Sequence, residues 1–206
     1  VLAIAAPAAS AAPASIQAGV APNTNLFAAP SFAHEAGTVA TMTHVAGGGH
    51  NVTANSNGPD GGPLFRSDTI VSGTTPVRGT QYLPAGVYPF NCTIHLGMTS
   101  SLDVNSGSPL ARPTVSVKLT STKIAKVVKK KKLATKVTLT GGEPATVTAK
   151  RGKVKLGSAT TTKNGALTLK LGKSAVGKLA KKKKATIKLD AVVDFGTPAK
   201  ASGQLK

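Results

Sequence analysis

One short segment of the chain, together with one upstream histidine, carries four side chains that are known metal ligands. The single cysteine is followed by a histidine and a methionine in the spacing Cys92-x2-His95-x2-Met98, and His50 lies upstream in the sequence Gly-His-Asn-Val. Two imidazoles and one thiolate in a trigonal arrangement, with a long, weak thioether contact on the axis, form a blue-copper site. These residue types therefore predict that the four side chains bind one type 1 copper ion.

Each of these residues also has a simpler interpretation when it is taken alone. A free cysteine is more often a small buried core residue, an isolated histidine is more often a loop residue, and an isolated methionine is more often part of a core. The combination favours a metal, because a core cysteine does not require histidine and methionine at ligand spacing. His34 and His44 have no partner pattern, and we interpret both as structural or surface residues.

Short strands are the elements that must position these side chains. Residues 38–43, 86–90 and 102–104 carry β-branched or aromatic residues at alternate positions, and loops rich in Gly, Pro and Asn separate them. Short strands at this spacing predict an antiparallel β-sandwich. In such a fold, the loop that contains Cys92 can meet His50 from a different strand at one end of the sandwich.

Residues 16–107 resemble a cupredoxin of the plastocyanin and amicyanin type, a Greek-key β-sandwich. The resemblance rests on Ala-Gly-Thr-Val at 36–39, on the Gly-His-Asn-Val that contains His50, and on the hairpin-like segment 83–98. The short Cys-x2-His-x2-Met loop in that segment is most similar to the amicyanin pattern.

The resemblance implies a role for each matching residue. It implies that His50, Cys92 and His95 are the equatorial ligands of a copper ion and that Met98 is its axial ligand. It further implies that Asn51, beside the first histidine, holds the cysteine loop in place through Thr93 without contacting the metal itself. Leu96 stands where many members of the family have proline.

A site with four protein ligands has no evident open position for substrate, so we expect electron transfer and not enzymatic catalysis. Multicopper oxidases have a cysteine flanked by histidines and also His-x-His pairs, whereas Cys92 lies between Asn91 and Thr93 and no His-x-His occurs. A binuclear copper site would need a second cysteine. Serine hydrolase chemistry has no supporting Gly-x-Ser-x-Gly.

Charge divides the chain into two parts. Residues 1–112 contain three basic and four acidic residues, and residues 113–206 contain 23 basic and three acidic ones, so that the net charge changes from −1 to +20. Residues 108–113, which contain two prolines, are predicted to be a linker. In residues 114–206, apolar residues alternate with Thr or Lys in several segments, which predicts a second, Lys-rich β-sandwich. The one helix that we expect lies at 174–180.

The second part weakly resembles the Lys- and Thr-rich, immunoglobulin-like modules of secreted actinobacterial proteins. Its charge predicts an anionic partner, such as a cell-wall polymer or lipid headgroups. We expect no specific nucleic acid, because the only aromatic residue of this part is Phe195 and arginine is nearly absent in favour of lysine. A solvated basic face without a specific partner is the simpler alternative.

Residues 1–15 are apolar and small, with an Ala-x-Ala at 9–11, and are interpreted as the remnant of a signal peptide or as a disordered tail. This predicts a secreted or cell-envelope protein, periplasmic or extracellular. No segment has the roughly 20 apolar residues of a transmembrane span.

Two hypotheses follow from the whole sequence. In the first, a secreted copper protein carries single electrons to or from an unidentified redox protein, and the basic part tethers it to an anionic envelope surface. In the alternative, the chain is a surface- or polyanion-binding protein whose cupredoxin domain only binds or sequesters copper.

Overall fold

The computed structural model describes residues 12–206, which form two compact units that meet in sequence between Ala111 and Arg112. Each unit consists of two β-sheets around its own hydrophobic core. The predicted fold class, an all-β protein with two β-sandwiches, is confirmed.

The first unit is built from seven strands within residues 12–111. They are β1 (Ser15–Ala18), β2 (Ser31–Ala36), β3 (Ala40–His44), β4 (Thr53–Ala54), β5 (Thr74–Val77), β6 (Gly86–Asn91) and β7 (Thr99–Gly107). One sheet has the order β1-β3-β5 and the other has the order β2-β7-β6-β4.

The expectation of a purely antiparallel sandwich is wrong for two strand pairs. β1 pairs with β3 in parallel, and β2 pairs with β7 in parallel. The partners in each parallel pair are not consecutive in the chain. Between the two strands of each pair, the chain passes through the opposite sheet. It returns so that the second strand begins at the same end of the sandwich as the first.

Alternation along the strands directs large side chains into the core of the first unit. Phe90 lies near its centre and packs edge-on against Phe27 and Phe65, with ring centroids 5.0 and 6.1 Å apart. Cys92 is two residues further along the chain and is buried as well. The period of two in β6 thus directs the cysteine toward the interior.

The predicted tail at 1–15 is wrong for its last two residues. Ala14 is buried, its N–H donates to His34 Nδ1 over 3.1 Å, and its carbonyl accepts from the Thr41 N–H over 2.9 Å. Ser15 begins β1. These contacts make Ala14 and Ser15 part of the sandwich, whereas the Ala-x-Ala at 9–11 lies outside the described residues.

The second unit also consists of two sheets. Its elements are β8 (Val115–Leu119), α1 (Ile124–Lys130), β9 (Lys132–Leu139), β10 (Ala145–Arg151), β11 (Val154–Thr161), β12 (Gly165–Lys170), α2 (Lys173–Ala180), β13 (Ala185–Val193) and β14 (Ala199–Leu205). The sheet orders are β11-β10-β13-β14 and β12-β9-β8, with neighbouring strands antiparallel. In β13, Ile187 and Leu189 are buried while Lys188 is exposed, so the side chains of this strand alternate between the core and the surface. The immunoglobulin-like character of this unit stays a prediction.

The second unit contains two helices instead of the one expected. α2 covers the predicted segment, whereas α1 is an addition to the prediction. α1 buries Ile124 and Val127, which lie on one face at a spacing of three residues. The last helical residue is Lys130, because the positive φ of 53° at Lys131 does not continue a right-handed helix. Among the described residues, no helix is long and apolar enough to cross a membrane.

We expect the stability of the first unit to fall on mild acidification through His34. This ring is completely buried and accepts a hydrogen bond from Ala14, and burial lowers the pKa of His34 below its usual value. The unfolded chain then takes up a proton near pH 6.5 while the folded chain resists it. The stability contributed by neutral His34 is therefore complete above about pH 6.5 and decreases as the pH falls toward the folded-state pKa.

Urea unfolding of the metal-free chain between pH 7 and pH 5 tests this prediction. Tyrosine fluorescence reports the first unit alone, because both tyrosines, Tyr82 and Tyr88, belong to it and the chain has no tryptophan. His34→Gln keeps a hydrogen-bond acceptor but cannot titrate, so the variant should lose less unfolding free energy across this range than the unmodified chain. Equal losses in both proteins would show that another group is responsible.

Candidate metal centre

His50 is held in a defined orientation and tautomer. Its backbone N–H and C=O both pair with Ile70 over 3.0 Å, which fixes the residue between two segments of the sandwich. The ring is completely buried, and Nε2 lies 3.1 Å from the carbonyl oxygen of Ala46. A carbonyl only accepts, so Nε2 carries the proton and Nδ1 keeps its lone pair. That Nδ1 is buried and has no hydrogen-bond partner in the protein.

The surroundings of His50 favour its neutral form. Burial is the main cause that lowers the pKa of His50, and the neighbouring His95 and His44 rings lower it further. The ring centroids of His95 and His44 lie 4.7 and 5.3 Å from that of His50. Neutral imidazole is the form that binds metal ions, so the ring is ready to act as a ligand at neutral pH.

The loop between β6 and β7 holds the other three predicted ligands. Its ends are fixed by the antiparallel pairing of Asn91 with Thr99. Within the loop, the Cys92 N–H donates to the Met98 carbonyl over 3.0 Å, and the Met98 N–H donates to the His95 carbonyl over 3.2 Å. These bonds fold the loop back on itself and bring the three residues together. Met98 is completely buried in the core of the unit.

The ligand atoms of His50, Cys92 and His95 all lie within 4.8 Å of one another. Cys92 Sγ is 3.6 Å from His95 Nδ1. Sulfur and nitrogen bound to one metal at about 2.3 and 2.0 Å are separated by about 3.5–3.8 Å at trigonal or tetrahedral angles. The separation of this pair and the free Nδ1 of His50 therefore fit a metal ion bound between the three side chains.

The three ligands differ in exposure. His50 and Cys92 are buried, with 0% and 2% of their surface exposed, whereas His95 is partly exposed. His95 and Cys92 line a surface hollow of about 410 Å³ together with the rest of their loop. Beside His95, Leu96 is fully exposed. The site therefore approaches solvent on the side of the His95 ring.

Asn51 joins the segment of His50 to the cysteine loop. Its Oδ1 accepts from the Thr93 N–H over 2.9 Å, and its Nδ2 donates to Thr93 Oγ1 over 2.8 Å and to Thr69 Oγ1 over 3.0 Å. Asn51 is buried. Both polar atoms of one side chain are thus used to fix the distance between the two ligand-bearing segments.

Sequence reasoning missed two residues that support the site. His44 lies beside the His50 ring, and its Nε2 is 2.8 Å from the Gly48 carbonyl oxygen, which ties down the turn before His50. Gly19 has a positive φ of 84°, and a Cβ there would lie 1.8 Å from the Ala46 carbonyl oxygen and 2.9 Å from His50 Nε2. The occurrence of His44 six residues before His50 was a usable signal, whereas nothing in the sequence connected Gly19 with His50.

No family model matches the chain, and no curated protein matches it. Among solved structures, the reduced Cu(I) form of an amicyanin mutant covers 45% of this chain and 82% of its own, with 17% identity and a TM-score of 0.36. Auracyanin A, described as a blue copper protein from Chloroflexus aurantiacus, covers 46% of this chain and 100% of its own, with 18% identity and a TM-score of 0.35. A copper-containing nitrite reductase from Thermus scotoductus covers 53% of this chain and 25% of its own, with 21% identity and a TM-score of 0.34. Similarities of this size assign neither a family nor a function to the chain.

Replacing Gly19 with alanine is expected to disturb the site, although residue 19 is not a predicted ligand. The new Cβ would displace the Ala46 carbonyl, which holds His50 Nε2. Gly61→Ala is a matched control, because Gly61 has a φ of +83° but no atom within 4 Å of the added Cβ. Both variants carry a conformational cost of about 1–2 kcal/mol, and Gly19→Ala should lose about 1–3 kcal/mol more through overpacking. Only Gly19→Ala should also weaken metal binding, and equal effects of both variants in urea unfolding and metal titration would contradict this.

Removing the Asn51 side chain is expected to loosen the cysteine loop. Asn51→Ala leaves the Thr93 N–H without its acceptor, which costs about 1–3 kcal/mol of unfolding free energy where such a group stays buried. Loss of an outer-shell bond typically weakens metal affinity by about 10- to 100-fold. A competition titration with copper measures the affinity, with Asn25→Ala as the control because the Asn25 side chain is exposed. An affinity that equals that of the unmodified chain would mean that the loop keeps its shape without Asn51.

Proposed function

We propose that the first unit is a cupredoxin-like type 1 copper centre that carries single electrons. The observation that supports this best is the convergence of His50, Cys92 and His95 on one point, with His50 Nδ1 buried and unpartnered. A buried polar atom without a partner costs free energy. A metal ion bound by Nδ1 removes that cost and at the same time occupies the lone thiolate.

The donor set favours copper over zinc. Structural zinc sites usually have four ligands drawn from cysteine and histidine, whereas the cluster within the described residues offers three such atoms. The remaining sulfur ligand of the sequence pattern is the thioether of Met98, in the same loop. Two imidazoles, a thiolate and a weak axial thioether are the ligands of blue-copper electron-transfer sites.

The protein's own contribution is to keep the ligands in fixed positions and to bring one of them to the surface, where an electron can be exchanged. When bound, copper supplies a one-electron couple between Cu(I) and Cu(II). The loop hydrogen bonds and the Asn51 bridge keep the ligand geometry similar in both oxidation states. Partly exposed His95, with exposed Leu96 and Ile94 beside it, is the contact point for a redox protein partner. Because all four donors come from the protein, the unit acts as a carrier and not as an enzyme.

The second unit serves as a tether in this proposal. It carries 24 of the 26 basic residues of the chain, mostly lysine, and a surface of this kind attracts anionic polymers and anionic headgroups. A protein of this design would act outside the cytoplasm, at the cell envelope. In the second candidate function, polyanion binding is the main activity and the copper is only stored. That candidate draws support from the basic groove described below, and the absence of reversible electron exchange would favour it.

The visible spectrum after addition of Cu(II) tests the proposal. The unmodified chain should develop an intense thiolate-to-copper charge-transfer band, because Cys92 supplies the thiolate. Cys92→Ser should abolish the band completely. His34→Gln is the matched control, since it removes an imidazole of the same unit that is not part of the cluster, and it should retain the band.

Reversible bleaching and recovery of the band with a one-electron reductant and oxidant would establish carrier chemistry. A metal-binding chain without a visible band would indicate zinc or another colourless ion and would contradict the proposal. Band formation without reversible cycling would favour copper storage instead.

A further inference from the structure

A second site lies in the basic unit, between α1 and the outer face of the β12-β9-β8 sheet. It is a groove of about 560 Å³, and no residue of the first unit lines it. Four lysines line it: Lys123, Lys126 and Lys130 from α1 and its start, and Lys132 from the beginning of β9. Lys126 and Lys130 lie four residues apart on one face of α1, and Lys123 immediately precedes the helix.

This concentration of charge has no counter-charge in the groove. The acidic residues of the second unit are Glu143, Asp190 and Asp194, and none of them lines the groove. Like charges three or four residues apart destabilise a helix, so the arrangement of Lys126 and Lys130 disfavours folding. An anion in the groove would reverse the sign of this contribution.

The backbone segments around the groove are held in place by core packing and by hydrogen bonds. Ile124 and Val127 anchor α1 in the core of the unit. The loop before α1 is tied to β9, because the N–H groups of Thr120 and Ser121 both donate to the Ala134 carbonyl and Ser121 Oγ accepts from the Ala134 N–H over 2.8 Å. Four hydroxyl-bearing residues line the groove together with the lysines: Thr120, Ser121, Thr122 and Thr168.

We propose that this groove binds a linear polymer of phosphodiesters that join sugars or polyols. The inference rests on the tethering role proposed above and names its site and its ligand. Lysine ammonium groups bind phosphate oxygens as point charges. Hydroxyl groups such as those of Thr120 and Thr168 add neutral hydrogen bonds to the phosphates or to the polyol.

The lining of the groove disfavours a nucleic acid. Single-stranded nucleic acids are bound through bases stacked on aromatic rings or on arginine. The lining contains neither type of residue. The only aromatic residue of the second unit, Phe195, is completely buried.

The lining also disfavours a lipid surface. Proteins that lie in a bilayer interface insert large apolar side chains beside their lysines. In the second unit the exposed large apolar residue is Val192, at 37% exposure, and it belongs to β13 in the opposite sheet. A concave, hydroxyl-lined basic groove therefore fits a soluble, flexible phosphate chain better than a membrane.

Isothermal titration of the full chain with synthetic poly(glycerol phosphate) tests this assignment. The groove variant combines Lys126→Gln and Lys130→Gln, and the matched control combines Lys155→Gln and Lys188→Gln, which remove the same charge from exposed positions on the opposite sheet. The groove variant should bind at least about tenfold more weakly. For the groove variant, the slope of log affinity against log salt concentration should be smaller in magnitude by about two. The control variant should lose about twofold or less in affinity.

Several outcomes would overturn the assignment. Equal losses in the two variants would mean a diffuse charge effect and no groove site. Tighter binding of polyglutamate, single-stranded poly(dT) or anionic phospholipid vesicles than of poly(glycerol phosphate), at matched charge, would replace the ligand class. If the unmodified chain binds no polyanion, both the groove and the tether fail, while the copper proposal is judged separately by the Cys92→Ser spectrum.

Discussion

The hydrogen bond between His50 Nε2 and the Ala46 carbonyl is the constraint on which the candidate metal centre depends. A buried imidazole must place its proton somewhere, and a carbonyl 3.1 Å from Nε2 leaves Nδ1 with a free lone pair for a metal ion. Burial of the ring then keeps it neutral by lowering the pKa of His50. The glycine at position 19 follows from the same bond, because a larger residue would occupy the space of the Ala46 oxygen. One carbonyl thus fixes the tautomer of His50 and restricts residue 19 to glycine, while burial keeps the ring neutral against the opposing effect of this hydrogen bond on the pKa of His50.

The division of charge between the two units would be a physical advantage if the first unit binds a copper ion, as we propose. Bringing a cation to its ligands is harder in a strongly positive field, and the potential of a metal centre depends on nearby charges. The chain concentrates its lysines after Arg112, in a unit with its own core, and leaves the ligand-bearing unit nearly neutral. Each function can then be tuned without repacking the other sandwich.

The parts of the site that were predictable are those that local spacing determines. Cys92, His95 and Met98 lie in one short loop, and their order in the sequence already restricts their geometry. His50 was anticipated only because its neighbours matched the pattern expected beside such a loop. The support from Gly19 could not be recognised in the same way, because it depends on the pairing of β1 with β3, a parallel contact between segments distant in sequence.

The fold was predictable where it depends on the alternation of apolar and polar residues within one strand. The period of two identified strands such as β3 and β6, since it follows directly from one buried face, but β2, β9, β11 and β14 were not predicted. Parallel pairing did not follow, because it depends on which sheet the intervening chain enters. α1 was missed because its lysines dominate the composition of the segment, although Ile124 and Val127 alone are enough to anchor one turn on the core.

Rigidity of the ligand set comes from the way each ligand-bearing segment is attached to the sandwich. The His50 backbone is paired in both directions with Ile70, the Cys92 loop is closed by the bond to Met98, and Asn51 joins the two segments. None of these bonds requires a metal to form, so the ligands are held in position before binding. A site that is already shaped in this way has little left to rearrange when the charge of its ion changes by one, which is the physical requirement for rapid one-electron exchange.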